Sequence, residues 1–337
     1  MAAYIIRRVF GAVLLLLIVS AVTFAIFFLV PRIAGQTMDQ LAAQYVGKDA
    51  NPQSILAVKQ NLGLDQPLYI QYWHFLKQLF VGADFQFGPE ATHCGVPCFG
   101  YSFKRHVEVW PELTARIPVT FSLAVGAAVI WLISGVAIGV VSALKRGSIL
   151  DRFFMAIALA GVSLPIFFTG MLALGVFTVQ WPFWEGGVNY VAFTDNPLDW
   201  AWNLLIPWCS LAFLYSALYA RITRAGMLET MGEDYIRTAR AKGLRESSVI
   251  GKHGLRAALT PIVTIFGMDF GLLVGGAVIT ETVFSFPGLG AYAIKSVQES
   301  DLPIVMGVTL VAAFFIVICN LLVDLVYAAI DPRVRYS

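Results

Sequence analysis

The sequence predicts an all-α membrane protein, a bundle of six transmembrane helices with both termini cytoplasmic. An extracytoplasmic insertion follows the first helix, and a cytoplasmic helical element lies between the fourth and fifth. Three observations carry this reading. Of 337 residues, 58% are apolar and 13% charged, with a mean hydropathy of +0.74, whereas a soluble domain carries about 25% charged residues. Six apolar runs are long enough, or nearly so, to cross a hydrocarbon core, which takes roughly 20 helical residues. Finally, Lys and Arg gather in alternate connections.

Residues 9–30, 117–144, 153–184, 200–220 and 302–323 contain no Lys, Arg, Asp or Glu. The remaining run, 257–280, is interrupted by Asp269 and closed by Glu281. Lipid admits helices or closed barrels, and uniform apolar runs lack the alternation of barrel strands. With the amino terminus inside, 15 of the 23 basic residues fall on the cytoplasmic side, from Arg7 and Arg8 to Arg333 and Arg335. The first run, 22 residues long, exceeds a signal-peptide core and reads as an uncleaved anchor.

The chain divides accordingly into an anchor helix, 1–30, an extracytoplasmic domain, 31–113, and a core of five spans, 114–337, which includes the cytoplasmic segment 221–260. Within the outer segment, 53–62 reads as a helix stopped by Gly63, and Pro67 opens a second helix over 68–80. Short helices on the outer mouth are expected. Cys94 and Cys98 stand in His-Cys-Gly-Val-Pro-Cys. An oxidising compartment favours a small disulfide-closed loop; a metal site needs two further ligands, with His93, His106 and scattered acids available.

The inner segment 221–260 carries eight basic and four acidic residues. Glu233 and Asp234 suit the start of a short helix, Arg240 and Lys242 its end, and Gly243 a left-handed stop. Ser247 or Ser248 is expected to cap a second helix running to about residue 258, with Thr260 and Pro261 opening the fifth span. A solvated basic loop explains the charge but not the paired caps, nor Tyr235, Ile236, Ala239 and Gly243 on and beside one helix. A docking element explains both.

Nucleotide-cradle, zinc-helix and nucleophile-elbow motifs are absent from the sequence, and a net charge of +2 gives no nucleic-acid footprint. Asp269, inside the fifth span, is a candidate for the translocation pathway or a structural hydrogen-bond partner. Asp324 reaches the interface or a neighbouring helix. Gly267, Gly271 and Gly275 form a stripe for close helix packing, within this subunit or against a second one. A secondary transporter using Asp269 for protons is the first rival reading, but no internal repeat supports it. A membrane enzyme is the second.

The inner block from Tyr235 to Leu244, Tyr-Ile-Arg-Thr-Ala-Arg-Ala-Lys-Gly-Leu, followed by Pro261, resembles the cytoplasmic signature of ATP-binding-cassette (ABC) importer permeases, more narrowly the dipeptide and oligopeptide group. Three further blocks agree: Leu62-Gly-Leu-Asp-Gln-Pro-Leu68, Glu281-Thr-Val-Phe-Ser-Phe-Pro-Gly-Leu-Gly290 and Asp331-Pro-Arg-Val-Arg335. The general signature begins Glu-Ala-Ala where this chain reads Arg237-Thr-Ala239, and 88–101 looks like an insertion. The resemblance implies a non-catalytic, multi-pass permease of a prokaryotic cytoplasmic membrane, without a cofactor of its own. Its implied partners are a second homologous permease, two ATPase subunits binding ATP and Mg, and an extracytoplasmic solute-binding protein. Peptides are the implied substrate; nickel complexes, glutathione and other small solutes are the alternatives. It also makes Tyr235, Ile236, Ala239, Lys242 and Gly243 the candidate ATPase-coupling residues.

Overall fold

A computed structural model describes residues 2–47, 50–87, 91–181 and 188–330. Helix α1 (Ala2–Phe24) passes through a π-helical stretch (Ala25–Leu29) into α2 (Val30–Ile33), with helical backbone at both joints. Three short helices follow, α3 (Met38–Val46), α4 (Pro52–Asn61) and α5 (Leu68–Val81). Thr37 with Gln40 and Asn51 with Ser54 form reciprocal capping boxes on α3 and α4, satisfying backbone donors that a helix start leaves open.

The same outer segment also holds four short strands where helices alone were expected. Strand β1 (Ala83–Gln86) pairs antiparallel with β2 (Ala91–Cys94), placing Ala83 opposite Cys94, and β3 (Tyr101–Ser102) pairs with β4 (Val107–Glu108). The Cys94 and Cys98 sulfurs are bonded at 2.10 Å among Phe85, Tyr101 and Phe103. The segment 88–101 is described only from residue 91 onward.

Helix α6 (Val109–Thr114) leads into α7 (Ile117–Leu144); α8 (Ile149–Ser163), α9 (Ile166–Leu174) with a π-helical continuation (Gly175–Gln180), and α10 (Pro197–Thr230) follow. Next come α11 (Asp234–Ala241), α12 (Glu246–Ser248), a π-helical stretch (Val249–Leu255), α13 (Arg256–Val274), α14 (Val278–Val283), α15 (Leu289–Gln298) and α16 (Leu302–Ile330). Among the described residues, five helices are long and apolar enough to span a membrane, or six if the bent α8–α9 pair is counted as one span.

Four sequence expectations are corrected. The third run is not one rod: its helices meet at 103°, because Pro165 lacks an amide hydrogen and forces Leu164 into extended backbone, ψ 132°. Residues 182–184, the tail of that run, lie outside the described residues. Second, α10 continues past residue 220 to Thr230, since Thr223, Met227 and Thr230 recur at helical spacing and stay buried beyond the apolar run. Third, the helix expected after Ser247 or Ser248 starts at Glu246 and runs without a break into α13. Neither serine caps it. Arg240 grips Glu246 in the first turn, where a carboxylate suits the helix dipole, and Pro261 sits inside the rod, between buried Ala258 and Ile262. Pro261 itself is exposed, and a membrane helix tolerates a proline where local adjustment of the backbone satisfies the freed carbonyl. Fourth, the fifth span ends at Val274, where Gly276 adopts φ +140°.

The core centres on α7 against α10. Trp131, Leu123, Leu204, Leu211 and Tyr219 are almost wholly buried there. A Cβ at Gly126 would overlap the Trp208 indole, and one at Gly135 would lie 2.7 Å from Tyr219 Cβ. The helices approach this closely because α7 carries small residues at the crossing. The segment 31–113 docks on the core through Ser102, whose hydroxyl donates to buried Asp301 at 2.5 Å, and through Arg105 paired with Glu299. Burial pushes the Asp301 carboxyl up from its ordinary range, against the pull of Ser102 and Arg105.

Candidate functional site

The element carrying the candidate coupling residues is built by α10, α11 and the helix that starts at Glu246. After Thr230 a turn through Met231 and Gly232 delivers α11. Gly243, at φ +74°, ends it: its amide donates to the Arg240 carbonyl at 2.9 Å, and the Leu244 amide to the Ala239 carbonyl at 3.4 Å. That pairing is a Schellman stop, and the left-handed residue in it favours glycine. Arg240 then donates through Nε and Nη2 to the two Glu246 oxygens at 3.2 and 2.6 Å, holding the two helices in a fixed angle.

The five candidate coupling residues divide between two faces. Ile236 and Ala239 point inward and, with Met231, cover fully buried Val249. Tyr235, Lys242 and Gly243 point outward, joined by Arg237, Leu244 and Arg245. Tyr235 and Leu244 are 45% and 43% exposed, an apolar pair inside a basic rim. The inward trio fastens the element; the outward group is the surface free to meet another chain.

Sequence reasoning missed a second fixture. Arg224 on α10 donates from Nε and Nη2 to the Asp151 oxygens at 2.7 and 2.9 Å, and the Gly147 amide donates to the same carboxylate at 2.8 Å. Asp151 is nearly buried. The turn between α7 and α8 is thereby tied to α10 shortly before α11. The two residues stand 73 apart in sequence, so no local spacing announces the pair.

Asp269 sits half-buried on α13 and accepts the Tyr219 hydroxyl at 2.9 Å. Around it Trp131 stacks on Tyr215, ring centres 4.7 Å apart, and leans on Phe266 at 5.9 Å. The glycine stripe faces elsewhere. A Cβ at Gly267 would overlap Val323, one at Gly271 would come 3.2 Å from Cys319 Cβ, and one at Gly275 would lie 3.4 Å from Ala312 Cβ. The stripe is therefore seated on α16 of the same chain. Asp324, on α16, pairs with Arg8 of α1 at 2.8 Å. Among the described residues no three His, Cys, Asp or Glu side chains are grouped to hold a metal ion.

The block opening at Glu281 closes the core on the opposite side. Glu281 is fully buried and accepts the Thr120 hydroxyl at 2.6 Å and the Ala291 amide at 2.8 Å. A Cβ at Gly288 would overlap its carboxylate, and one at Gly290 would lie 2.7 Å from Val278 Cα. The acid and both glycines of this block are thus fitted to one another. The final block, 331–335, lies outside the described residues.

This geometry has a counterpart in known proteins. Residues 135–336 match the family described as the binding-protein-dependent transport system inner membrane component, and residues 1–124 match its N-terminal companion. The chain belongs to this family. It is 39% identical over 337 residues to a protein of Brucella abortus assigned as a peptide transport system permease, covering all of both chains. It is also 38% identical to the glutathione transport system permease protein of Pectobacterium atrosepticum and 35% identical to the dipeptide transport system permease protein of Escherichia coli, each covered in full. Among solved structures, an inward-facing form of the MetNI methionine ABC transporter matches with a TM-score of 0.51 and 17% identity, over 66% of this chain and 97% of that one. This likeness extends the fold comparison. The chain is a multi-pass, non-catalytic permease of an ABC importer, a family that works with ATPase and substrate-binding partners.

Proposed function

We propose that this chain is one of two homologous permeases forming the channel of an importer for dipeptides or short oligopeptides in a prokaryotic cytoplasmic membrane, with both termini inside. Two ATPase subunits, which bind ATP and Mg, supply the power, and an extracytoplasmic binding protein delivers the solute to the side carrying 31–113. In this reading α11 inserts Tyr235, Leu244 and the surrounding Arg237, Lys242 and Arg245 into a groove of one ATPase. Gly243 sets the turn, while Ile236 and Ala239 keep the element from moving independently of α13.

The observation that carries the proposal is the division of faces on α11. A helix pinned by Ile236, Ala239 and the Arg240–Glu246 fork passes a rigid-body displacement into the rod ending at Val274, so that closing the ATPase pair moves the spans. Asp269 and Tyr219 offer a polar point on the candidate pathway.

The test is uptake by the complete assembly in proteoliposomes, using labelled dipeptides, longer peptides, glutathione and a nickel complex. ATP-dependent, vanadate-sensitive dipeptide uptake is the expected result. Uptake driven by a proton gradient without nucleotide would replace the reading with a secondary transporter. Glutathione is the second substrate reading, favoured by the 38% identity to the Pectobacterium relative against 35% for the Escherichia coli dipeptide permease.

A further inference from the structure

Helix α5 lies in the segment that the sequence places outside the membrane, yet its contacts reach far down α1. The Tyr72 hydroxyl lies 2.8 Å from that of Ser20 and donates to the Leu17 carbonyl at 3.3 Å. The rings of Tyr72 and Phe75 lie 5.4 and 5.9 Å from Phe24. Near the other end of the same rod, Arg32 donates to the Leu64 carbonyl at 3.0 Å and to Gln71 at 3.2 Å.

Depth follows from the helical rise. The Arg8–Asp324 pair and Arg7 mark one boundary of the hydrocarbon. Ser20 stands twelve residues further along α1, about 18 Å at helical rise, in a core about 30 Å thick. The Tyr72 hydroxyl is therefore near mid-bilayer, and the body of α5 lies in the leaflet opposite Arg8.

Three faces of α5 differ in kind. One, with Leu68, Gln71, Tyr72, Phe75 and Leu79, packs on the protein. The next carries Tyr69, Trp73 and Phe80, which stand 74%, 64% and 77% exposed at spacings of four and seven residues, a single helical stripe. The third presents His74 and Lys77, both exposed, with Val81, 63% exposed, at its end. A stripe of Tyr, Trp and Phe beside a basic face is the pattern of a helix lying in a membrane interface. The rod beneath it, α1, packs chiefly on α16, and Val22 on that helix and Ile26 in the π-helical stretch after it are both 53% exposed.

We propose that α5 is a leaflet-embedded amphipathic helix whose Tyr69–Trp73–Phe80 stripe is covered by lipid acyl chains, with His74 and Lys77 at the headgroups. The segment 31–113 is then partly a membrane structure that fixes α1 at a set depth. The proposal depends on neither the orientation nor the substrate of the chain.

The test places a nitroxide on the full chain in phosphatidylethanolamine–phosphatidylglycerol nanodiscs. Single cysteines are introduced as Tyr69→Cys, Trp73→Cys, Phe80→Cys, His74→Cys and Lys77→Cys, with Cys209→Ser and Cys319→Ala in the background. Power saturation compares collisions with oxygen, which partitions into lipid, and with a water-soluble nickel chelate. The ratio at the three stripe positions is expected to exceed that at 74 and 77 severalfold, because a face sunk below the headgroups meets oxygen and is shielded from the chelate. Equally low ratios at all five positions would overturn the proposal by placing the stripe in water, equally high ones by denying the helix a headgroup face, and exclusion of both quenchers from the stripe by placing protein there. Should the substituted background fail to fold, photoactivatable benzoylphenylalanine replaces Trp73 in the otherwise native chain. A lipid adduct supports the proposal; a protein adduct, or none, overturns it.

Discussion

The Thr120 hydroxyl donates to Glu281 at 2.6 Å, and the same oxygen accepts the Leu289 amide at 2.8 Å. One side chain of α7 thereby joins both ends of the block 281–290. Removing the carboxylate strands the buried Thr120 hydroxyl and the partly buried Ala291 amide. Glu281→Ala is expected to cost about 2–4 kcal/mol, since each unmet buried group costs about 1–3 kcal/mol. Glu281→Gln, which keeps an acceptor, should lose clearly less. Thermal unfolding of the purified chain in detergent measures both, and equal losses would deny the hydrogen-bonding role.

The Arg224–Asp151 fork predicts a strong coupling between two positions remote in sequence. Arg224→Ala leaves a nearly buried carboxylate held by the Gly147 amide alone. A loss of stability is expected, smaller than for a fully buried pair because Arg224 is partly exposed. Arg224→Lys cannot reproduce the two-pronged contact. A double-mutant cycle with Asp151→Asn reads the pair directly, and additive losses would show that the fork contributes nothing.

Two prolines show where the sequence stops being legible. Pro165 breaks its helix by 103° while Pro261 leaves its helix continuous, although both stand in apolar runs. The residue type is the same; what differs is whether Leu164 is released to extended backbone or Thr260 is held helical between buried Ala258 and Ile262. The spans themselves were readable because lipid demands long uncharged runs. On α11, Ile236 and Ala239 recur at a helical spacing of three, which marks one face, yet sequence alone does not say that Val249 lies beneath it. The β1–β2 hairpin escaped notice because its four-residue strands carry no sustained alternation.

The two faces of α11 should respond differently to substitution. Ile236→Ala removes a side chain packed on Val249 and is expected to destabilise the chain by about 2–4 kcal/mol. Tyr235→Ala and Lys242→Glu lie on the open face, so the proposed docking predicts unchanged thermal stability with uptake reduced at least severalfold. Gly243→Ala, at φ +74°, costs about 1 kcal/mol of backbone strain and should lower uptake through the turn. Uptake at the wild-type rate in both Tyr235→Ala and Lys242→Glu would remove the docking surface.

The stripe on α13 makes a prediction about folding alone. Gly267→Val adds methyl groups where a Cβ already overlaps Val323, so α13 and α16 must separate. Overpacking of this kind costs about 1–3 kcal/mol or more. Adding Val323→Ala should recover part of that loss. Comparing the melting temperatures of the single and double variants tests the contact, and absence of any rescue would point the glycine elsewhere.

Asp269 and Tyr219 share one hydrogen bond inside the membrane, and this pairing shapes what substitution does there. If the acid serves through its partner, Asp269→Asn keeps an acceptor for the Tyr219 hydroxyl and should slow uptake only modestly. Asp269→Ala strands that hydroxyl between α10 and α13, and Tyr219→Phe with Asp269→Ala should then be no worse than Asp269→Ala alone, because both remove one contact. If the acid instead carries protons, Asn fails as badly as Ala and collapse of the pH gradient halts transport. Asp324 differs in kind, because its Arg8 partner tethers α1 to α16 near a boundary where water can replace it. Asp324→Asn is accordingly expected to disturb uptake less than Asp269→Ala, and ATP-driven uptake assays of these variants, with and without a proton ionophore, separate the two roles.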